Sequence, residues 1–136
     1  MVSPGSASLV LSAGRSTVGD LFHSVAAAYP GRIALQDEGI SLSYAELESR
    51  SNRLASYLVH RGVQPGDRIA VLSRNRFEYF ELLLAAAKTG AILAALNWRL
   101  LDGELEHCVN LVSPRLIFVA AELDTTLGRL SGATPD

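Results

Sequence analysis

The chain has 136 residues, 49% hydrophobic and 19% charged, with 14 acids against 12 bases for a net charge of −2. That is too apolar for a disordered chain and suits a single domain, and it draws the protein toward neither nucleic acid nor an anionic membrane. Arg supplies every base but one, so a mechanism that needs two lysines is excluded; Lys88 stands alone, as does Cys108. A lone cysteine forms no internal disulfide and no thiolate metal cluster, which fits a reducing compartment. His23, His60 and His107 lie far apart and share no metal-ligand spacing. No stretch approaches the roughly 20 apolar residues of a membrane span. The start of the chain carries no base before Arg15 and does not read as a signal peptide. The expected location is therefore cytoplasmic.

In chain order, residues 1–16 read as a flexible tail. Val18, Leu21, Phe22, Val25, Ala26 and Tyr29 then recur at helical spacing, opened by a Thr17/Asp20 capping box and stopped by Pro30-Gly31. Arg32–Asp37 and Ile40–Tyr44 alternate around Glu38-Gly39 and predict a β-hairpin. Ser43 with Glu46 caps a helix reaching Arg61, with Leu47, Leu54, Ala55 and Leu58 as its buried stripe and Gly62-Val63 as its end. Glu46, Glu48, Arg50 and Arg53 read as its solvated face.

After the Pro65-Gly66-Asp67 turn the chain alternates. Arg68–Ser73 is a strand, and Asn75 with Glu78 caps a helix that Gly90 ends. Ala91–Leu96 is a continuous apolar strand, and Asn97–Asp102 a connector. A helix through Leu105, Cys108, Val109 and Val112 stops at Ser113-Pro114, and Leu116–Val119 is a further strand. Glu122–Leu130 starts another helix, and 131–136 trails off as a second tail. This order predicts an α/β fold with a parallel βαβαβ sheet, flanking helices and a short hairpin. Residues 17–130 form the domain, incomplete because the alternation is still running where the sequence stops.

The search for chemistry yields little. There is no Gly-x-Gly-x-x-Gly after a strand, no Walker-type phosphate loop and no Gly-x-Ser-x-Gly elbow. Cys108 falls on an apolar helical stripe and reads as core. Glu78 and Glu81 lie three apart on one helix, but the first is taken as a cap. No catalytic, cofactor-binding or metal-ligating residue is assigned. Asn97-Trp98-Arg99-Leu100 stands out, because an aromatic and an arginine follow a buried strand at the carboxyl end where α/β sheets bind ligands. The simpler structural account has Asn97 tying the strand end, Trp98 covering an edge and Arg99 bonding carbonyls or a carboxylate. If part of a ligand pocket is present, its candidates are Phe77, at the start of its helix, and Asn97, Trp98 and Arg99.

From Thr17 to about Glu122 the chain resembles the N-terminal part of the adenylate-forming (AMP-binding) enzymes. The likeness rests on Leu42-Ser43-Tyr44-Ala45-Glu46-Leu47, Ser51-Asn52-Arg53-Leu54-Ala55, Gly62 through Val71, Arg74-Asn75 with Glu78, Lys88-Thr89-Gly90-Ala91, and Leu96-Asn97-Trp98-Arg99-Leu100 before Glu104-Leu105. The Asn-Trp-Arg-Leu form is most similar to bacterial fatty-acyl-CoA synthetases. The resemblance implies a reaction in two halves: a carboxylic acid and ATP, with Mg²⁺, give an acyl-adenylate, and the acyl group then passes to coenzyme A. It also implies that the phosphate loop and the catalytic lysine lie beyond this sequence, so that the chain alone is inactive and binds none of these cofactors. In the family, Lys88 falls at a packing position. Where members place Thr as a helix cap, this chain has Leu101, and Asp102 is expected to take over with a one-residue shift. Two other readings stay open: a stand-alone α/β interaction or regulatory module, and a parent that activates an amino or aryl acid for a carrier protein. The incomplete sheet also predicts self-association through exposed apolar surface.

Overall fold

A computed structural model describes residues 16–128. All but Ser16 of the expected N-terminal tail, residues 129–130 of the last predicted helix and the expected tail 131–136 lie outside the described residues.

Helix α1 (Val18–Ala28) opens with the expected box: Thr17 Oγ1 accepts from the Asp20 amide at 3.1 Å, and the Asp20 carboxylate accepts from the Thr17 amide at 3.0 Å. Its apolar stripe divides. Gly19 and Ala26 are buried against neighbouring helices, whereas Val18 and Leu21 stay 63% and 62% exposed. Strands β1 (Ile33–Asp37) and β2 (Ile40–Ser43) pair antiparallel around a two-residue turn. Glu38 and Gly39 there take φ of 40° and 87°, the two positive values that match the twist of the flanking strands.

Helix α2 (Tyr44–His60) is capped by Ser43 and Glu46 as the sequence predicts. It ends with the Val63 amide on the Leu58 carbonyl and the Gly62 amide on that of Val59, which turns Val63 back into the core beside Leu58.

The remaining elements are β3 (Arg68–Leu72), α3 (Phe77–Thr89), β4 (Ile92–Leu96), α4 (Asp102–Val112), β5 (Leu116–Val119), a 3₁₀ turn (Ala121–Leu123) and α5 (Asp124–Leu127). The predicted last helix is thus a 3₁₀ turn leading into one short α-helical turn. The three strands are parallel in the order β4-β3-β5. Crossovers of one hand that step to opposite sides of β3 place their helices on opposite faces, and the packing shows it. Ile69 and Val71 of β3 face α2 and α3 with Leu58, Leu82 and Ala85, whereas Ala70 and Leu72 face α4 with Leu105 and Val109. Burying each large apolar side chain contributes about 1.5–3 kcal/mol, which makes β3, covered on both faces, the centre of the fold.

Three local expectations change. Helix α3 begins at Phe77, and its cap is not Asn75 with Glu78: the Phe77 amide donates to the Asp37 carboxylate at 3.0 Å, from the end of the hairpin. At α4 the helix does not shift to suit Asp102. Leu101 keeps the cap position, and only the Glu104 carboxylate closes the turn, accepting from the Leu101 amide at 3.0 Å. The predicted solvated face of α2 is half wrong. Glu48 and Arg50 turn inward to bind Lys88 and Glu81 of α3.

Candidate functional site

Open parallel sheets bind ligands beyond their carboxyl ends, where the strand order reverses. In the order β4-β3-β5 that reversal lies between β3 and β5; on the other side of β3 its carboxyl end is level with that of β4, because Leu72 pairs with Leu96. The residues two positions further along each strand, Arg74 and Trp98, therefore meet. The Arg74 guanidinium lies 4.5 Å from the centroid of the Trp98 ring, and that of Arg99 lies 4.3 Å from it. The Asn97 side-chain oxygen accepts from the Arg99 amide at 3.0 Å, and the Leu100 amide reaches the Asn97 carbonyl at 3.2 Å, so the connector folds into a turn. The half-buried Trp98 ring packs on the α4-side cluster of Leu72, Leu96 and Leu105.

Asn97 thus ties the strand end as the structural account expects. Arg99 stacks on the indole, where the structural account expects it to bond a carbonyl or carboxylate. Each stacked pair contributes about 0.5–1 kcal/mol at an exposed site. Among the described residues neither Arg74 nor Arg99 has an acidic partner. Two permanent cations with planar donor forks, held on a ring, can take up a phosphate or a carboxylate.

Phe77 is not part of this group. It lies toward the other side of the sheet, packed against the Leu42–Leu47–Leu84 cluster, with the Arg50 guanidinium 5.2 Å from its ring centroid. Arg74 is the residue that spacing alone does not single out. Its signal is its position just past the β3 carboxyl end, which becomes meaningful only once β3 and β4 are in register.

A separate cleft of about 360 Å³ opens between the carboxyl ends of β3 and β5, on the α3 side. Leu54, Leu82 and Phe118 supply apolar lining, with Ser73, Arg76 and Tyr79 beside them. Arg76 is engaged by Glu78 at 3.2 Å and Glu122 at 3.5 Å, and Glu81 by Arg50, so Glu78 and Glu81 do not act as a pair.

The sole lysine is a structural clamp. Lys88 Nζ donates to Glu48 at 2.6 Å, Asn52 at 2.7 Å and the fully buried Ser51 at 2.8 Å, joining α3 to α2. The exposed His23 of α1 reaches the other Glu48 oxygen at 2.9 Å. A Cβ at Gly19 would sit 3.1 Å from Lys88 Cγ, so a larger residue there would press on the Lys88 stem. Cys108 packs with the α4-side core. Among the described residues no three His, Cys, Asp or Glu side chains converge, and no helix is long and apolar enough to cross a membrane. With Lys88 engaged and no phosphate cradle among them, the described residues do not fit a nucleoside triphosphate by themselves.

The chain matches the model of the AMP-binding enzyme family over residues 22–134. It is 40% identical over 90 residues to a 3-oxocholest-4-en-26-oate–CoA ligase of Rhodococcus rhodochrous, an alignment covering 66% of this chain and 16% of that protein. It is 36% identical over 107 residues to the fatty acid–[acyl-carrier-protein] ligase ScoC of Streptomyces coeruleorubidus, covering 79% and 21%. The fold superposes on a Mycobacterium tuberculosis fatty acyl CoA synthetase with a TM-score of 0.81 and 25% identity, over 88% of this chain and 24% of that one. The chain therefore spans about a fifth or less of the length of these curated relatives. Matched over most of its length by sequence and by fold, the chain belongs to the AMP-binding, adenylate-forming family of acid ligases.

Proposed function

We propose that the chain is the N-terminal scaffold of a ligase that joins a fatty acid to coenzyme A. In that reaction the acid's carboxylate attacks the α-phosphorus of ATP, pyrophosphate leaves, and a mixed acyl–AMP anhydride forms. The thiol sulfur then attacks the acyl carbon, AMP leaves, and a thioester results. The observation that carries this reading is the family match over residues 22–134, joined by relatives named as ligases of fatty and steroid-side-chain acids. What these residues contribute is support and placement: β3 and β4 hold the Arg74–Trp98–Arg99 stack at the sheet's carboxyl end, where its cations face an anionic group of a substrate.

Alone, the chain is expected to show no acid-dependent exchange of pyrophosphate into ATP. Joined to the rest of a ligase from this family, it is expected to support exchange with fatty acids in preference to aryl or amino acids. Turnover by the 136-residue chain would overturn the scaffold reading. A folded but inert assembly with every acid would favour the stand-alone interaction module. One observation supports a second acceptor: ScoC is named as a ligase to acyl-carrier protein. Supplying the active assembly with coenzyme A or with phosphopantetheinylated carrier protein separates the two thiols.

In the same assembly, Arg74→Gln with Arg99→Gln is expected to raise the KM of one phosphate-bearing substrate about tenfold, the loss of one to two charge-assisted hydrogen bonds, with kcat retained. Unchanged KM for both ATP and the thiol would leave the stack a structural feature only.

A further inference from the structure

Helices α1 and α2 open with the same capping box and differ in what stands around it. At α2 the residue before the cap, Leu42, and the fourth helical residue, Leu47, are both buried in one cluster. Such a pair is an apolar staple, which fixes how the chain enters a helix. At α1 the corresponding positions are Ser16 and Leu21. A serine is too small and polar for that role, and Leu21 stays 62% exposed among the described residues.

Leu21 stands on the rim of a groove. A cavity of about 310 Å³ runs between α1, the hairpin and α3, with Val18, Leu21, Val25, Leu35, Phe80 and Leu83 in its wall and no charged side chain. Val18 is 63% exposed on the α1 side, and Phe80 and Leu83 are 47% and 40% exposed on the α3 side. The groove lies outside the helical layer, because α1 packs on α2 and α3, which themselves cover one face of the sheet. All its lining residues come from positions 18–84, so it does not arise at an edge of the sheet.

The segment that precedes α1 has matching chemistry. Residues 1–14 carry no charged side chain, the longest such run in the sequence, and Leu9-Val10-Leu11 is their one apolar triplet. The stretch from Leu11 to Val18 spans up to about 23–25 Å when extended, about twice the diameter of a helix. The triplet can therefore turn back over the start of α1, and Gly14 lies in between, where a reversal can use the backbone freedom of glycine. Tethering this close sets an effective concentration in the millimolar range, which favours the chain's own segment over a second copy.

We propose that Leu9-Val10-Leu11 docks in this groove and serves α1 as a displaced staple, holding its first turns against the hairpin and α3. The inference rests on the helix cap and the chemistry of the groove, independently of the ligase reading.

The test is hydrogen exchange in α1 of the 136-residue chain, read by mass spectrometry in the wild type, L9S/V10S/L11S, L21Q and their combination. Leu21→Gln keeps a good helix former at a position that faces solvent unless the segment covers it. Each of the two variants is expected to speed exchange in α1 about tenfold. The combination is expected to go no more than about twofold beyond either, because both remove the same contact. Near-UV circular dichroism confirms that each variant is folded; if L21Q is not, Val18→Gln takes its place with the same expectation. Unchanged exchange in α1 after the triplet loses its apolar side chains overturns the proposal. So does a full sum of the two effects in the combination, which would make them unrelated. Wild-type protection that rises with protein concentration overturns it as well, by placing a second copy in the groove.

Discussion

Replacing Lys88 by methionine is expected to lower the stability of the chain by about 2–3 kcal/mol in a urea melt, the toll of stranding a partly buried charge. Methionine keeps an aliphatic stem beside Gly19 and removes only the ammonium. Lys88 and Glu48 are each 14% exposed at their side chains, 2.6 Å apart, so the pair is closer to a buried one than to a surface one. Without Lys88 the Glu48 carboxylate keeps His23, which is 70% exposed, and a long contact with Asn52 at 3.4 Å. Ser51, fully buried, also loses its link to α3. The full penalty for breaking a buried pair, about 3–5 kcal/mol, is reduced here because water still reaches the site. Adding Glu48→Gln is expected to recover part of the loss, since a neutral amide tolerates the site better than a stranded carboxylate. A K88M variant within about 0.5 kcal/mol of wild type would mean that the contact behaves as an ordinary surface pair.

The same substitution carries a pH signature. Burial by itself pushes the Glu48 carboxyl upward, but hydrogen bonds from Lys88 and then His23, with the Lys88 charge, hold it below the ordinary value of 4.5. A carboxyl lowered in the folded state stabilises the fold above its unfolded pKa, and that stability is lost as pH falls through the folded value. Wild type should therefore lose more stability than K88M between neutral pH and the acid side of the glutamate range. Asp20 and Glu46, lowered by their hydrogen bonds to Thr17 and Ser43, contribute the same acid loss to both proteins and cancel in the comparison. An identical acid loss in the two proteins would remove the Lys88–Glu48 contact from the account.

These residues also show where reading the chain succeeds and where it stops. The capping boxes at Thr17 and Ser43, the Glu38-Gly39 turn and the Gly62-Val63 helix end were legible because every atom involved lies within five residues along the chain. The alternation after Pro65 likewise exposed the parallel sheet, since β3 and β4 carry continuous apolar runs. What stayed hidden is non-local. Asp37 caps α3 from 40 residues away. Glu48 and Arg50 look like a solvated face until α3 is laid against α2 and brings Lys88 and Glu81 to them. At the site, the sequence marked Asn97, Trp98 and Arg99 through an odd composition after a buried strand, but Arg74 joins them only through the β3–β4 register. Phe77, marked by its place at a helix start, lies on the other side of the sheet.

That register ties the site to the core, and Leu72→Ala tests the tie. Leu72 is fully buried at the end of β3, on the face packed by Leu96, Leu105 and Val109, with Trp98 and Leu100 resting on the same cluster. Removing its three outer carbons leaves a cavity beneath the connector, and the loss is expected to be about 3–4 kcal/mol. Trp98 is the sole tryptophan, so its emission reports on the connector alone. A ring that loses its apolar support, with two guanidinium groups drawing it toward solvent, is expected to shift its native-state emission to the red. Leu58→Ala makes the matching cavity on the opposite face, among Val63, Val71 and Leu82. It is expected to destabilise by a similar amount while leaving the native emission in place. The contrast separates support of the connector from stability in general, because both variants lose the latter and only one undermines the ring. Equal spectral shifts in the two variants would show that the sheet transmits the strain as a whole. The absence of a shift in Leu72→Ala would show that the Arg74–Trp98–Arg99 stack holds its own geometry without the β3 terminus beneath it.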